Sequence, residues 1–322
     1  RSCLEVRSRW HTGIVNRQEP NMFDVRVSDE VATALAEGRA VVAMESTIFS
    51  HLGLPSPTNE EALSRCEHAV RSVGAVPAVT AVFNGVAHVG ISQTDRERVC
   101  GPAQKMAERD IPVATARGWK YGATTVSAAL TLAERAGIRV FATGGIGGVH
   151  RGSELTGDIS ADLDAIARRA VVTVSAGAKA FLDLAQTLEY LETAGAPVLG
   201  WQTDEFPAFY TRTSGLNVPH RVETAEVVAA IFHNRTRADQ GVLLAVPIPE
   251  VDSLDAGRLD AALASALEEC EAQGIRGAAI TPFVLERITV ATDGDSLPAN
   301  LALAEHNAEV AAQVAVAIAQ LG

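Results

Sequence analysis

Short apolar runs alternate with longer amphipathic segments along most of the chain. The apolar runs are rich in valine and alanine and predict buried strands at 40–44, 74–82, 137–143, 171–174, 197–201 and 241–246. The segments between them predict helices at 28–37, 58–73, 122–136, 161–169, 187–194, 225–235, 259–273 and 296–321. Strands that alternate with helices form a mostly parallel sheet covered on both faces. The pattern therefore predicts an α/β protein with three layers, α/β/α, and a mostly parallel central sheet.

This alternation begins only after residue 21. Residues 1–21 are polar, lack the apolar core of a signal peptide and show no periodicity, and we expect them to form a loose, disordered extension. From 22 to 322 the alternation continues without a low-complexity linker, an internal repeat or a charge block. Since 47% of the 322 residues are hydrophobic, one large core can form. We therefore predict a single α/β catalytic domain at 22–322.

Charge and cysteine content exclude several function classes. The net charge is −12, whereas nucleic-acid binding needs a basic face. No apolar run is long enough to span a membrane. The four cysteines are scattered without a CxxC pair, which indicates a reduced, cytoplasmic chain without structural zinc. We therefore expect a small-molecule ligand, and neither nucleic acid nor a membrane as a partner.

Lys179 is the first candidate for chemistry. It follows the predicted strand at 171–174 in the sequence SAGAK. A lysine at the carboxyl end of a parallel strand opens into the crevice where α/β enzymes bind ligands. In a partly dry crevice the ammonium form is disfavoured, and a neutral amine forms a Schiff base with a sugar aldehyde. A lysine that extends its ammonium group from a strand end into water fits the segment equally well.

A glycine cluster at 144–148 follows the predicted strand at 137–143. The cluster lacks the third glycine of the dinucleotide motif GxGxxG. A tight turn that needs positive φ explains the glycines, and so does a loop whose backbone amides approach a ligand closely. We interpret the cluster as a wall of an active site rather than as a cofactor cradle.

Asp158 and Asp162 flank the start of the helix predicted at 161–169. The amides and dipole of a helix N-terminus attract anions, so Ser160 and one carboxylate there suit ribose or phosphate. The other carboxylate suits a hard cation such as magnesium or manganese, with several waters. Helix capping by Asp158 or Ser160 explains the same residues. The lysine strand that follows within the same βα unit favours the ligand interpretation.

Further candidates lie at the ends of other elements. Glu45 ends the strand at 40–44, where partial burial raises a carboxyl pKa towards that of a general acid, although an ordinary strand-end carboxylate fits as well. The segment 122–126 offers hydroxyls and amides at a helix start, for phosphate binding or for capping. Lys105 suits phosphate or a solvated face, and Asn300 suits a ligand contact or a helix cap.

Seven stretches of the sequence carry a family resemblance. They are VVAMESTI at 41–48, GATTV at 122–126, FATGGIGGVHRG at 141–152, DISADL at 158–163, AGAK at 176–179, FPAFY at 206–210 and TPF at 281–283. In these stretches the chain closely resembles pseudouridine-5′-phosphate glycosidases, from about Val25 to near the C-terminus. A chance match of this length is implausible.

The resemblance implies a homotrimer of α/β/α subunits that reversibly cleaves pseudouridine 5′-phosphate to uracil and ribose 5-phosphate through a lysine Schiff base. It implies that Lys179 attacks the anomeric carbon, that Glu45 donates a proton and that Asp158 belongs to a site for one Mn²⁺ per subunit. The substrate contacts that it implies are Lys105, Val126, Ser160, Ala161, Asp162 and Asn300.

The chemistry of a C–C glycosidic bond explains why a lysine is needed. Such a bond has no leaving-group oxygen or nitrogen to protonate, so the paired carboxylates of an ordinary glycosidase do not suffice. A class I aldolase-like sugar-phosphate lyase would use the same amine and is the main alternative. An N-glycoside ribohydrolase would show an Asp-rich calcium cluster, which the sequence lacks. A catalytically silent binding protein would be favoured if Glu45, Asp158 or Lys179 were replaced, and all three are present.

Overall fold

The computed structural model describes residues 23–321, so the extension expected at 1–21 lies outside the described residues. The strands are β1 (Val25–Val27), β2 (Val41–Met44), β3 (Val76–Phe83), β4 (Val86–Val89), β5 (Gln104–Met106), β6 (Tyr121–Thr124), β7 (Val140–Ala142), β8 (Val172–Ser175), β9 (Val198–Trp201), β10 (His220–Val222) and β11 (Val242–Ala245). The α-helices are α1 (Asp29–Ala36), α2 (Thr58–Ser72), α3 (Arg96–Val99), α4 (Ile111–Arg117), α5 (Val126–Arg135), α6 (Ser153–Thr156), α7 (Ala161–Arg168), α8 (Leu184–Ala194), α9 (Ala225–His233), α10 (Ala256–Ala272), α11 (Ile280–Ala291) and α12 (Ser296–Leu321).

Within residues 23–321 the strands form one sheet of mostly parallel strands. Its main path runs β1-β4-β3-β2-β7-β8-β11-β9-β10, and β6 joins β3 and β5 at the side. The pairings of β3 with β4 and with β6 are antiparallel, and the other pairings are parallel. The three adjacent strands β2, β7 and β8 are buried at every position, as expected for strands covered on both faces.

Helices cover the two faces of this sheet. On one face α12 packs across β2, β7 and β8, with α2 and α9 beside it. On the other face α5 packs on β2, β3 and β7, and α7 and α8 continue the layer. The predicted three-layer α/β/α fold with a mostly parallel sheet is therefore confirmed. In the part of the chain that the structure describes, no helix is both long enough and apolar enough to cross a bilayer.

Two local predictions differ from the structure. The segment 122–124, predicted to lead a helix, belongs to strand β6, and the helix begins at Val126. Strand pairing with β3 and β5 overrides the local pattern there, and Gly122 leaves room for Met106, whose Sδ lies 3.0 Å from the position of an added Cβ. Thr58 and Glu61 have the spacing of a capping box, which predicts Thr58 as the N-cap. In the structure the N-cap of α2 is Pro57, and no side chain caps the helix.

Candidate active site

Three neighbouring parallel strands bring candidate residues to one edge of the sheet. Glu45 follows β2, the glycine cluster follows β7, and Lys179 follows β8. Pairing continues beyond the strands, because Ala176 N donates to Gly144 O (2.9 Å) and Lys179 N donates to Ile146 O (3.2 Å). This pairing fixes the Lys179 backbone beside the glycine cluster, in the crevice where open α/β sheets bind ligands.

A cavity of about 550 Å³ occupies this crevice. All the site residues predicted from the sequence line it, and they come from six separate segments of the chain. They are Glu45, Lys105, Val126, Asp158, Ser160, Ala161, Asp162, Lys179 and Asn300. The structure therefore brings the predicted residues together, while their individual roles stay predictions.

Glu45 is deeply buried in the cavity wall, with 7% of its surface exposed, as is Asp162. Thr143, at the end of the adjacent strand β7, donates a hydrogen bond to Glu45 Oε1. Burial raises the pKa of Glu45, against the opposing effects of nearby Lys179 and of the Thr143 hydrogen bond. A carboxyl group with a raised pKa holds its proton at higher pH, as a general acid requires.

Two lysines face the same cavity. Lys179 is half-buried, and its ammonium group forms neither a salt bridge nor a hydrogen bond with any residue in 23–321. Lys105 lies on the short strand β5, and much of its side chain is exposed. Desolvation of its ammonium group and then the charge of Lys179 lower the pKa of Lys105. The cavity therefore holds two amines that lie close enough for their charges to interact.

Asp162 joins two walls of the cavity. Its Oδ1 accepts from Ser127 N (3.0 Å) and its Oδ2 accepts from Gly147 N (2.9 Å). Both carboxylate oxygens are thus engaged by backbone amides, which holds the first turn of α5 against the glycine cluster. Ser160 is the N-cap of α7 and accepts from Asp162 N (3.2 Å). The capping interpretation of Ser160 is correct, and its side chain also lines the cavity.

Unpaired backbone amides complete the polar part of the wall. Val126 N, at the start of α5, and Ala161 N, at the start of α7, have no hydrogen-bond partner among the residues that the structure describes. Both helix N-termini border the cavity, where such amides and the helix dipole attract an anion. These positions therefore suit contacts through the backbone, which explains why apolar side chains occupy them.

Asp158 is half-exposed at the side of the cavity, with Oδ2 3.9 Å from His150 Nδ1. Burial lowers the pKa of His150, and the charge of Asp158 opposes that effect. Within residues 23–321 no group of three or more His, Cys, Asp or Glu side chains is arranged to hold a metal ion. The donor set therefore suits a hard cation that keeps most of its waters, and not a cation enclosed by protein ligands.

Asn300 projects from the first turns of α12 into the cavity. It is 7% exposed, and its Oδ1 is buried without a hydrogen-bond partner among residues 23–321. An unpaired buried carbonyl oxygen destabilises the free protein, so a ligand that donates a hydrogen bond here would gain affinity. Asn300 is thus suited to a ligand contact rather than to helix capping.

Phe209 forms an aromatic wall that the sequence did not reveal. Its backbone is left-handed (φ +64°), and its side chain is 3% exposed. A Cβ added to Gly145 would lie 2.4 Å from Cδ2 of the Phe209 ring. Gly145 is therefore needed for close contact with Phe209, which supports the interpretation of the cluster as an active-site wall. A strained backbone of this kind is common at functional sites.

Substitution Gly145→Ala is expected to lower the free energy of unfolding by about 1–3 kcal/mol, because the new methyl group overlaps a buried ring that cannot move away. The same overlap should deform the cavity and reduce its ligand affinity. Gly257→Ala is the matched control, because the nearest atom to its added Cβ is Asp255 Oδ1 at 3.5 Å and the site lies in helix α10. Equal stability of the two variants in urea denaturation would contradict the assignment of Gly145.

Thr143 and His150 were also missing from the predicted site. Both lie within the stretch 141–152, but nothing in their spacing separates them from their neighbours. The only available signal for Thr143 was its position at a strand end, next to the strand that Glu45 follows. For His150 the signal was a titratable side chain directly after a glycine cluster.

Comparisons with known proteins match nearly the whole chain, including the residues that line the cavity. The profile of the family described as "Indigoidine synthase A like protein" matches residues 30–317. A pseudouridine-5′-phosphate glycosidase of Caldanaerobacter subterraneus subsp. tengcongensis is 49% identical over 303 residues, which cover 92% of this chain and 97% of that protein. A pseudouridine-5′-phosphate glycosidase of Methylobacterium nodulans is 50% identical over 293 residues, covering 90% of this chain and 86% of that protein.

Solved structures have the same fold. The prealnumycin C-glycosynthase AlnA, crystallised in complex with ribulose 5-phosphate, superposes with a TM-score of 0.85 at 41% identity and covers 94% of this chain and 99% of its own. An indigoidine synthase A-like protein of Thermotoga maritima superposes with a TM-score of 0.82 at 33% identity, covering 98% of this chain and 100% of its own. Similarity thus extends over nearly the whole chain.

Proposed function

The chain belongs to the family of indigoidine synthase A like proteins, and we propose that it is a pseudouridine-5′-phosphate glycosidase. In this proposal it reversibly cleaves the C–C bond between uracil and ribose 5-phosphate. One observation carries the proposal: an amine without an ion-pair partner in residues 23–321 and a buried carboxyl group share one cavity at the ends of parallel strands. Relatives at about half identity, named for this activity, support it.

The first step uses both groups. The neutral Lys179 amine attacks C1′ of the ribose, the C1′–O4′ bond breaks, and O4′ takes a proton from Glu45. Lys179 is then covalently bound to an opened sugar that still carries uracil. Burial supports the role of Glu45, because it raises the carboxyl pKa and so favours the protonated form that this transfer needs.

The second step breaks the C–C bond. The attached nitrogen first gives a proton to the Glu45 carboxylate and regains its lone pair. Glu45 then donates this proton to C5 of uracil, the electrons of the C1′–C5 bond return to the uracil ring, and the nitrogen lone pair of Lys179 forms a C1′=N iminium. Water hydrolyses this Schiff base, which releases ribose 5-phosphate and restores the lysine. Neither step needs a leaving-group oxygen or nitrogen, and the route therefore suits a C-glycoside.

Phosphate and ribose contacts are assigned to the polar wall. We assign the ribose 5-phosphate portion to the amides of Val126 and Ala161, to the Ser160 side chain and to the Lys105 ammonium group, since all four line the cavity and suit an anion or hydroxyls. Asn300 would accept a hydrogen bond from the substrate through its unpaired Oδ1. Asp162 would act mainly by holding the wall, because both of its oxygens bind amides.

A bound Mn²⁺, one per subunit, is part of the proposal. Asp158 would hold it, with water supplying most of the remaining ligands, and the ion would add positive charge beside the anionic substrate. The half-exposed carboxylate of Asp158 supports this assignment. We further propose that the protein acts in the cytoplasm as a homotrimer.

Release of uracil tests the function directly. The protein with Mn²⁺ should convert pseudouridine 5′-phosphate to uracil and ribose 5-phosphate. Chromatography with ultraviolet detection measures the uracil that is released. Uridine 5′-phosphate, an N-glycoside, is the matched control and should remain intact. Absence of uracil release would overturn the proposal. Cleavage within the sugar chain, with uracil still attached to a fragment, would instead identify an aldolase-like lyase that uses the same amine.

Removal of the metal should lower the rate of uracil release by about tenfold or more, which is the range seen when contacts of a metal site are lost. Addition of Mn²⁺ should restore the rate. Asp158→Asn should require a higher Mn²⁺ concentration for half-maximal rate, because the amide is neutral and binds a hard cation more weakly. Titration of activity with Mn²⁺ after chelation measures both effects. An unchanged Mn²⁺ requirement in Asp158→Asn would exclude Asp158 as the ligand.

A further inference from the structure

We propose that Thr143, held in place by Asn307, is a positioning residue that determines which oxygen of Glu45 exchanges a proton with the substrate. The inference rests on the proposed function for its catalytic meaning. Its structural basis is independent of that function, because it concerns one hydrogen bond between the ends of two adjacent strands. It assigns a function to two residues that the sequence pattern did not single out.

The hydrogen bond makes the two oxygens of Glu45 unequal. Thr143 Oγ1 donates its single proton to Glu45 Oε1, so that oxygen is engaged as an acceptor. Oε2 has no hydrogen-bond partner among the residues that the structure describes, and Glu45 lines the cavity. The exchangeable proton of the carboxyl group therefore sits on Oε2. A proton on a fixed oxygen can be delivered in a fixed direction, which general acid catalysis requires.

Asn307 holds Thr143 in position. It is 1% exposed on α12, and its Nδ2 donates to Thr143 O (2.8 Å) and to Gly144 O (3.1 Å). On its other side, Thr143 N donates to Val174 O of β8 (3.0 Å). The Thr143 backbone is thus tied to a helix and to the neighbouring strand at the same time. Because α12 packs across β2, β7 and β8, this contact couples the last helix to the proposed acid.

The charges around Glu45 give the hydrogen bond a measurable consequence. The groups that act on Glu45 are the cationic side chains of Lys179 and Lys105, the carboxylate of Asp162 and the Thr143 hydroxyl. The hydroxyl stabilises the ionised carboxylate and so opposes the effect of burial on the Glu45 pKa. Loss of the hydroxyl should therefore raise the pKa of Glu45 further, and should also leave Oε1 free to compete for the proton.

Thr143→Val tests the inference, since valine keeps the shape of threonine and removes the hydroxyl. We expect kcat to fall about 10- to 100-fold, with KM changed less than about threefold. In the dependence of kcat on pH, the alkaline limb should move to higher pH. Thr143→Ser keeps the hydroxyl and should retain kcat within about threefold of the wild type. Equal loss of kcat in both variants would assign Thr143 to packing alone and overturn the inference.

Thr173→Val is the matched control. Thr173 lies on the adjacent strand β8, is fully buried, and its Oγ1 has no hydrogen-bond partner within residues 23–321. The same substitution there should leave kcat and the pH profile unchanged. A comparable loss of kcat in Thr173→Val would show that threonine-to-valine exchange in this core perturbs the cavity in general, and would overturn the assignment of Thr143.

A measurement without substrate separates this inference from the proposed function. The side-chain carboxyl of Glu45, labelled with ¹³C and assigned by its absence in Glu45→Gln, can be titrated by NMR in the free protein. Thr143→Val should move its titration midpoint to higher pH, and Thr173→Val should not. An unmoved midpoint would overturn the inference even in an active enzyme. A moved midpoint in a protein that releases no uracil would preserve it and refute only the proposed function.

Discussion

Lys179→Ala is expected to abolish uracil release and to leave the fold intact. The amine is the only group in the proposed mechanism that bonds to C1′, and removal of a covalent nucleophile lowers kcat by on the order of 10⁴-fold or more. Lys179 is half-buried and forms no side-chain hydrogen bond or salt bridge within residues 23–321, so its loss leaves no partner unpaired. The free energy of unfolding should therefore change by less than about 1 kcal/mol. Steady-state kinetics and urea denaturation measure the two quantities.

Borohydride trapping distinguishes Lys179 from the second amine of the cavity. Reduction of the Schiff base during turnover should fix one pentose phosphate on Lys179, detected by peptide mass spectrometry. Lys105 is the relevant competitor, because its lowered pKa makes a larger neutral fraction available at a given pH. Lys105→Met should therefore still give the adduct on Lys179, whereas Lys179→Ala should give none. An adduct on Lys105 in the wild type would transfer the nucleophilic role to that residue.

The sequence predicted the three strands whose carboxyl ends border the site. The runs at 40–44, 137–143 and 171–174 were recognisable as buried strands because they are short, apolar and flanked by helical segments. Parallel strands place their carboxyl ends along one edge, and Glu45 and Lys179 each follow a predicted strand. The family resemblance implied that the two residues act in one site. The structure places these strands next to each other as β2, β7 and β8. Local pattern and general α/β topology thus predicted the strands, and the resemblance supplied the roles of the residues that follow them.

Contacts between distant segments account for what the sequence did not predict. The Thr143–Glu45 hydrogen bond joins residues 98 positions apart, and the Asn307 contact to Thr143 joins residues 164 apart. A threonine or an asparagine in these positions reads as an ordinary strand or helix residue until the partner is known. The left-handed backbone of Phe209 and its close contact with Gly145 are also invisible in the sequence, since the two residues lie far apart in the chain. Strand β6 was missed because pairing with β3 and β5 overrides a helix-like local pattern.

Glu45→Gln is expected to lower kcat by about 10²- to 10⁴-fold, the range typical of a lost general acid. Glutamine keeps the shape of the side chain and can still accept the Thr143 hydrogen bond, so the cavity should remain formed. Its Nε2 amide replaces Oε2 and carries no acidic proton. The pH profile supplies a second signature: the limb that reflects deprotonation of Glu45 as pH rises should disappear in the variant. Glu97→Gln, at an exposed position, is the control and should change neither kcat nor the profile.

The same substitution should stabilise the protein in a pH-dependent way. Burial raises the folded-state pKa of Glu45 above its ordinary value of 4.5, so the folded state binds more protons than the unfolded state between these two values. The wild type therefore loses stability as pH rises through this interval, and the loss is complete above the folded-state pKa. Glutamine has no such titration.

The stability gain of Glu45→Gln over the wild type should consequently be smallest near pH 4.5 and should increase as pH rises, reaching a plateau above the folded-state pKa of Glu45. Urea denaturation of both proteins at a series of pH values measures the difference. A gain that stays constant with pH, or that falls as pH rises, would show that Glu45 ionises as readily in the folded protein as in the unfolded chain. A carboxyl group of that kind would be a carboxylate at neutral pH and would not serve as the proposed acid. The stability curve therefore tests the catalytic assignment without any substrate.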